Sequence, residues 1–345
     1  WGGGSPNILE PDELTGLMRS LRRRFALAAD AEVAMEIDPR TLGPEFITAM
    51  AKSGITRVSL GVQDLDPDVQ RAVNRVQSYA TTAAAAAALR HIGIRSFNFD
   101  LMYGLPFQTV AGFRDTVDKV LELEPDRIAM FGYAHVPWMK KNQRLIPERE
   151  LPDSAERLRQ YEAGTELAIR RGYVPIGLDH FALAGSDLAR RRAERRLHRN
   201  FQGYTADTAQ VLIGLGVSAI GTLPQGYAQN THSAVGYRQA LTAGRPATAR
   251  GIALDDDDRL RRDIIERLMC ELEADLAAEC RRHGILPEML NDEMKTIDRL
   301  AADGIVRRTG WRIAVSEDAR PLVRVVAAAF DRYLQRDGAR HAQAL

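Results

Sequence analysis

The chain has 345 residues, 45% apolar and 27% charged, enough to bury one large core or to split into two or three domains. Its 47 Lys and Arg against 46 Asp and Glu leave a net charge of +1, which argues against gripping nucleic acid or anionic lipid through bulk charge. No apolar run approaches the roughly 20 residues of a membrane span, and Cys270 and Cys280 are too few for a disulfide framework or the four ligands of a zinc or iron–sulfur site. The opening Trp1-Gly2-Gly3-Gly4-Ser5-Pro6 has no signal-peptide character and no starting Met. A cytoplasmic fragment is expected.

From residue 32 to about 133 one pattern recurs: a short apolar run, a polar loop, a helical stretch and a closing glycine. Strands are expected at 32–37, 57–62, 96–103 and 127–133, with helices at 41–52, 67–76, 81–91 and 110–123 between them. Gly54 and Gly93 fall where left-handed helix caps belong. This spacing suits parallel βα units of a barrel or of an open sheet. A helix at 154–171 and a strand at 173–179 extend the series, followed by an arginine-rich stretch, 189–199, read as a solvated helical face or as a contact for a polycarboxylate. The last third changes character, with helices expected at 255–273, 287–302 and 320–334 and a β-hairpin at 305–315. That order suggests a small winged-helix-like domain with a packing or lid role, since the acidic run 255–258 gives it no basic excess.

The polar residues at the strand ends are the functional candidates, because the C-terminal edge of parallel strands is where such folds bind ligands. Glu36 could accept hydrogen bonds from a ligand ammonium or hydroxyl, whereas Asp38, followed by Pro39, is explained as a helix cap. Gln63 and Asp64 read equally as ligand groups or as a loop-forming pair. Asp100 lies in an otherwise apolar strand and needs a partner, for which Arg75 is a possible counter-charge. The triple glycine would let backbone N–H groups approach a polar ligand, or merely end a strand. His135, His180, His198 and His232 show no metal-ligand spacing, and no nucleophile elbow is present.

Nine strings, GGGSP, EIDPR, RVSLGVQDLDPDVQRAVNRVQ, NFDLMYGLPFQT, PDRIAMFGYAHVPW, GLDHFA, LHRNFQGYT, LGVSAI and YAQN, run in order from residue 2 to residue 230. Together they resemble the oxygen-independent coproporphyrinogen III oxidases, which are radical S-adenosylmethionine (SAM) enzymes. LHRNFQGYT and GLDHFA favour the oxidases over their haem-chaperone relatives. The resemblance implies an α/β fold: a partial (β/α)6 barrel, here missing its first unit or units, at 1–185, a barrel-closing substrate-site extension at 186–250, and a winged-helix-like domain at 251–345. It implies a [4Fe–4S] cluster and two SAM molecules per chain. Gly3, Glu36 and Ile220 match positions contacting the first molecule, and Gly4, Ser5, Gln63, Arg75, Asp100 and Ala134 match positions contacting the second.

The family's Thr is Ser5 here, which keeps the hydroxyl, while Gly132 replaces a usual Asn and residues 221–226 differ from the usual sequence. The family holds its cluster through a CxxxCxxC motif upstream of the glycine loop, which this chain does not contain. The chain as given is therefore expected to lack the cluster and to be inactive, with no catalytic residue and no metal ligand assigned. For the complete protein the implied reaction is oxidative decarboxylation of coproporphyrinogen III to protoporphyrinogen IX in haem biosynthesis. Its expected partners are that substrate and an unidentified reductant protein; it is expected to act as a monomer, without nucleic acid or membrane. The alternatives are a haem or porphyrin carrier derived from the same family, and an ordinary barrel lyase using the strand-end carboxylates.

Overall fold

The computed structural model describes residues 1–334 and divides them into two compact units, Trp1–Arg190 and Arg191 onward. The first unit runs α1 (Pro11–Arg24), β1 (Ala34–Ile37), α2 (Pro44–Ser53), β2 (Arg57–Gln63), α3 (Pro67–Ala72), α4 (Tyr79–His91), β3 (Ser96–Tyr103), α5 (Val110–Leu121), β4 (Arg127–Gly132), α6 (Ser154–Arg170), β5 (Tyr173–Ile176) and β6 (His180–Leu183). The first four strands pair in parallel and in chain order, and Gly54 and Gly93 take the expected positive φ at helix ends. Trp1 runs beside β1, its amino group donating to the Ala34 carbonyl at 2.8 Å and its carbonyl accepting from the Glu36 N–H at 2.9 Å.

The parallel series ends at β4. The expected strand at 173–179 is instead the first arm of a hairpin: Gly177, at φ +55°, turns the chain, β6 pairs antiparallel with β4, and β5 pairs antiparallel with β6. Composition is the same for either pairing, so only the turn distinguishes them. The result is a mixed six-stranded sheet in the order β1-β2-β3-β4-β6-β5.

The burial pattern of β2 alternates strictly, which assigns the two faces of the sheet different jobs. Met35, Val58, Leu60, Phe97, Phe99, Leu101, Ile128 and Phe181 share the apolar face and are almost wholly buried. Leu14 and Met18 of α1, Phe46 and Met50 of α2, Leu89 of α4, Phe113 and Val117 of α5 and Tyr161 of α6 belong to the same core. The other face carries Glu36, Ser59, Asn98, Asp100 and His180, placed in register across β1, β2, β3 and β6. Parallel strands covered on both sides read as unbroken apolar runs; this alternation leaves one face for polar work.

α7 (Asp187–Ala193) spans the boundary between the units in sequence, so the arginine stretch 189–199 is only partly helical, and its end is strand. In the second unit β7 (His198–Asn200) and β8 (Gly203–Thr205) form a ribbon. β9 (Ile220–Leu223), β10 (Gly226–Asn230) and, after α8 (Ala234–Thr242), β11 (Thr248–Ala253) form an antiparallel sheet. Then come α9 (Asp256–Glu271), β12 (Glu273–Asp275), α10 (Leu276–Arg282), α11 (Asn291–Ala302), β13 (Val306–Thr309), β14 (Arg312–Val315) and α12 (Val323–Ala328). Helix, strand, two helices and a hairpin thus follow one another, with β12-β14-β13 as one sheet. The acidic run has a local role: Asp255 and Asp258 form the capping box of α9, and its negative charges face the positive helix end. The expected helix at 320–334 is shorter, because Pro321 lies in a 3-10 turn and α12 ends at Ala328. Residues 335–345 of the expected 251–345 domain lie outside the described residues.

Candidate cofactor and substrate site

The glycine loop and β1 meet first. Gly3, at φ +86°, donates its N–H to Glu36 Oε2 at 3.2 Å, and Gly4 adds a weaker backbone interaction. A Cβ on Gly2 would stand 2.6 Å from Glu36 Oε1, so glycine is what allows this approach. Partial desolvation pushes the Glu36 carboxyl upward, the Gly3 N–H pulls it down, and the nearby Asp100 raises it again. Ser5 caps the short 3-10 turn Pro6–Ile8 through its backbone, and its hydroxyl makes no cap bond.

Asp100 accepts from Ser59 Oγ and Asn98 Nδ2, each at 2.8 Å, and burial raises its pKa against those bonds. Arg75 is not its ion-pair partner. The guanidinium donates to the Gly61 carbonyl at 2.9 Å and reaches Asp38 at 3.5 Å, while Asp38 also caps Pro39–Thr41 and binds Arg40 at 2.7 Å. Asp38 wins because it sits buried beside two guanidinium groups, whereas hydroxyl and amide donors already serve Asp100. Gln63 ends β2 at φ +68°, a strained conformation for a non-glycine residue. Its amide and the Arg75 guanidinium meet over Gly61, where a Cβ would lie 3.0 Å from both.

Gly61 is the register partner of Asp100, and Ser59 that of Glu36. Gly3, Gly4, Glu36, Gln63, Arg75 and Asp100 are thus gathered on one polar patch toward the C-terminal edge of β1, β2 and β3. Ala134 follows β4 on the same edge, its carbonyl accepting from Gln143 Nε2 at 2.9 Å. Ile220 lies on β9, in the second unit. Ser59 and Asn98 carry no strand-end signal of their own, although the alternation of residues 57–63 places Ser59 on the face of Glu36.

Asp64 belongs to the scaffold. It is 1% exposed and accepts from the Asp66 N–H, Thr116 Oγ1 and Gln108 Nε2. Burial pushes its pKa up to about 6, with those donors opposing. A carboxyl that titrates higher folded than unfolded favours folding most at low pH, and that contribution fades as pH rises from about 4 through about 6. Asp64→Asn therefore flattens the fall in stability across this window, on the order of 2–3 kcal/mol, as read by urea denaturation at several pH values.

Neither cysteine fits a cluster. Cys270 and Cys280 are buried on α9 and α10, and burial pushes both thiols up, away from the thiolate that iron needs. Among the described residues Asp263, Glu279 and His283 form a group with metal-ligand proximity, but Arg282 contacts both carboxylates and His283 binds Asp263 at 2.9 Å. That group is satisfied internally.

The sequence model of the Radical SAM superfamily matches residues 1–120, the part that builds the glycine loop and the first three strands. This places the first unit in the class of enzymes that use SAM with a [4Fe–4S] cluster. An oxygen-independent coproporphyrinogen III oxidase from Bradyrhizobium diazoefficiens is 52% identical over 345 residues, covering 100% of this chain and 77% of that protein. One from Cereibacter sphaeroides is 44% identical, covering 96% and 74%. The solved coproporphyrinogen III oxidase of Escherichia coli, a radical SAM enzyme, is 39% identical and superimposes with a TM-score of 0.92, over 97% of this chain and 77% of that one. The chain belongs to the oxygen-independent coproporphyrinogen III oxidase family.

Proposed function

We propose that the holoenzyme converts two propionate side chains of coproporphyrinogen III to vinyl groups, giving protoporphyrinogen IX and two molecules of carbon dioxide, with one SAM per propionate as the oxidant, reduced to methionine and 5′-deoxyadenosine. The observation that carries this reading is the polar patch of Glu36, Gln63, Arg75 and Asp100, built on a chain that is 52% identical to an oxidase throughout its length. SAM, when bound with a reduced cluster, supplies a 5′-deoxyadenosyl radical able to take hydrogen from a propionate. The cluster's ligands lie outside this chain, so this chain's own residues bind and orient.

Two SAM molecules are held per chain. Glu36 accepts from the ammonium or a hydroxyl of the first, beside the Gly3 amide, and Ile220 is the position of the second unit that the resemblance adds to this set. Gln63, Arg75 and Asp100 offer amide, guanidinium and carboxylate to the second, with Gly4, Ser5 and Ala134. Three parts share the work: residues 1–185 as the partial barrel, 186–250 as the substrate-site extension and 251–345 as the winged-helix-like part. The protein acts as a cytoplasmic monomer supplied with electrons by a separate reductant protein. No described helix is long and apolar enough to cross a membrane.

Iron content separates this reading from that of a porphyrin carrier. The native gene product, purified without oxygen, carries about four irons per chain if it is the oxidase; none after reconstitution would put the carrier ahead. Equilibrium dialysis with SAM tests the two-molecule arrangement: about two bound per chain, falling to about one in Asp100→Ala, with an unchanged count contradicting the role of Asp100.

A further inference from the structure

Arg157 combines positive charge, a buried Nε and a place over two strand ends. It lies in the first turn of α6, with its guanidinium over the end of β3 and β4. A Cβ on Gly104, just past β3, would meet its Cζ at 3.1 Å and its Nε at 3.2 Å, and a Cβ on Gly132, the last residue of β4, would meet Nη2 at 3.3 Å. Two adjacent strand ends are thus bare where this side chain lies, and its Cζ is 6.0 Å from the centroid of the Tyr103 ring.

Among the described residues no carboxylate pairs with Arg157. The buried Nε has no hydrogen-bond partner, and the ionisable group that acts on Arg157 is the Tyr103 phenol. The acids at the start of its own helix are committed elsewhere: Asp153 caps α6 through the Glu156 N–H at 2.8 Å, and Glu156 pairs with Arg159 at 2.7 Å. The positive end of α6 adds to the charge. Burying a guanidinium without a counter-charge is unfavourable, and burial does lower its pKa, so the arrangement persists at a cost in stability.

Other arginines of this unit whose Nε is also buried and unpartnered differ in one respect. Arg57 has Glu32 at 2.9 Å, Arg75 has Asp38 and the Gly61 carbonyl, and Arg127 has Glu32, Asp126 and Asp187 acting on it. Arg57 and Arg127 also stand at the start of their strands, the edge opposite to the polar patch. Arg157 stands at the C-terminal edge, where ligands of parallel strands bind.

We propose that Arg157 binds a carboxylate of the reacting small molecules, either the methionyl carboxylate of SAM or a propionate of the porphyrinogen. This rests on the function proposed above. A planar fork with free N–H groups is matched to a carboxylate by paired hydrogen bonds.

The test is Arg157→Met in the complete gene product, which keeps the apolar stem and removes the charge, with Arg157→Lys alongside. SAM binding to the cluster-free protein is read by equilibrium dialysis, and binding of coproporphyrin III by quenching of tryptophan fluorescence. Thermal melting serves as the folding control. Arg157→Met melts at or above the wild-type temperature, since an uncompensated charge has been removed, yet loses about ten- to hundredfold in affinity for one of the two probes, and Arg157→Lys recovers part of that loss. A loss confined to SAM places its carboxylate on Arg157, and a loss confined to coproporphyrin III places a propionate there. Unchanged affinity for both overturns the inference while leaving the proposed function standing. Wild-type protein that binds neither probe sinks the proposed function, and the inference with it.

Discussion

Replacing Glu36 by glutamine weakens SAM binding about ten- to hundredfold, the loss expected when one charge-assisted hydrogen bond of about 1.5–3 kcal/mol is removed. The amide keeps the shape of the side chain and can still accept from the Gly3 N–H, now 3.2 Å from Oε2, so the loop stays in place. What disappears is the negative charge on the ligand's side of the strand. Titration calorimetry of the cluster-free protein with SAM reads the effect directly, and thermal melting close to wild type shows that the fold is intact. An affinity unchanged in Glu36→Gln would remove Glu36 from the site and leave its contact with the glycine loop as a purely structural one.

The second large effect is on stability. Phe99 sits in the middle of β3, fully buried, on the face of the sheet that the helices cover. Phe99→Ala opens a cavity in a layer fixed on both sides by paired strands, β2 and β4, which cannot collapse to fill it. The expected cost is about 3–5 kcal/mol, seen as a lower urea midpoint with little change in slope. A cost below about 1 kcal/mol would mean that this layer is loosely packed and could not hold Asp100, the next residue, in a fixed position.

Much of the first unit was legible in the sequence because strands and helices there differ in period. β2, β3 and β4 fall within a residue of their expected bounds. α1 went unread: its apolar stripe is thin, Leu14 and Met18 being its buried residues among arginines. The signal was the Pro11 start and the capping box of Glu10 and Glu13. The strand expected at 173–179 holds only β5 and the turn, and β6 lies beyond it, because no composition rule marks the turn or gives the sense of pairing. The second unit was harder, since β12 is three residues long and is defined only by its partner β14.

Of the site, Glu36 and Asp100 were legible as charged residues at the ends of apolar strands. Their polar neighbours were not, because Ser59 and Asn98 acquire meaning only through the register that sets them beside the carboxylates. The choice of Asp38 by Arg75 depends on the loop after α3, where Asn74 takes a positive φ of 53°. Arg157 looks like any exposed helical arginine until α6 is laid across two glycine strand ends.

Product formation decides whether this protein is an oxidase acting through SAM. The native gene product, reconstituted with iron and sulfide without oxygen, is given coproporphyrinogen III, SAM and a low-potential reductant. The expected products are protoporphyrinogen IX, carbon dioxide, methionine and 5′-deoxyadenosine, all dependent on SAM. Tight binding of the porphyrinogen with neither decarboxylation nor 5′-deoxyadenosine would contradict it and leave a porphyrin carrier on an oxidase fold.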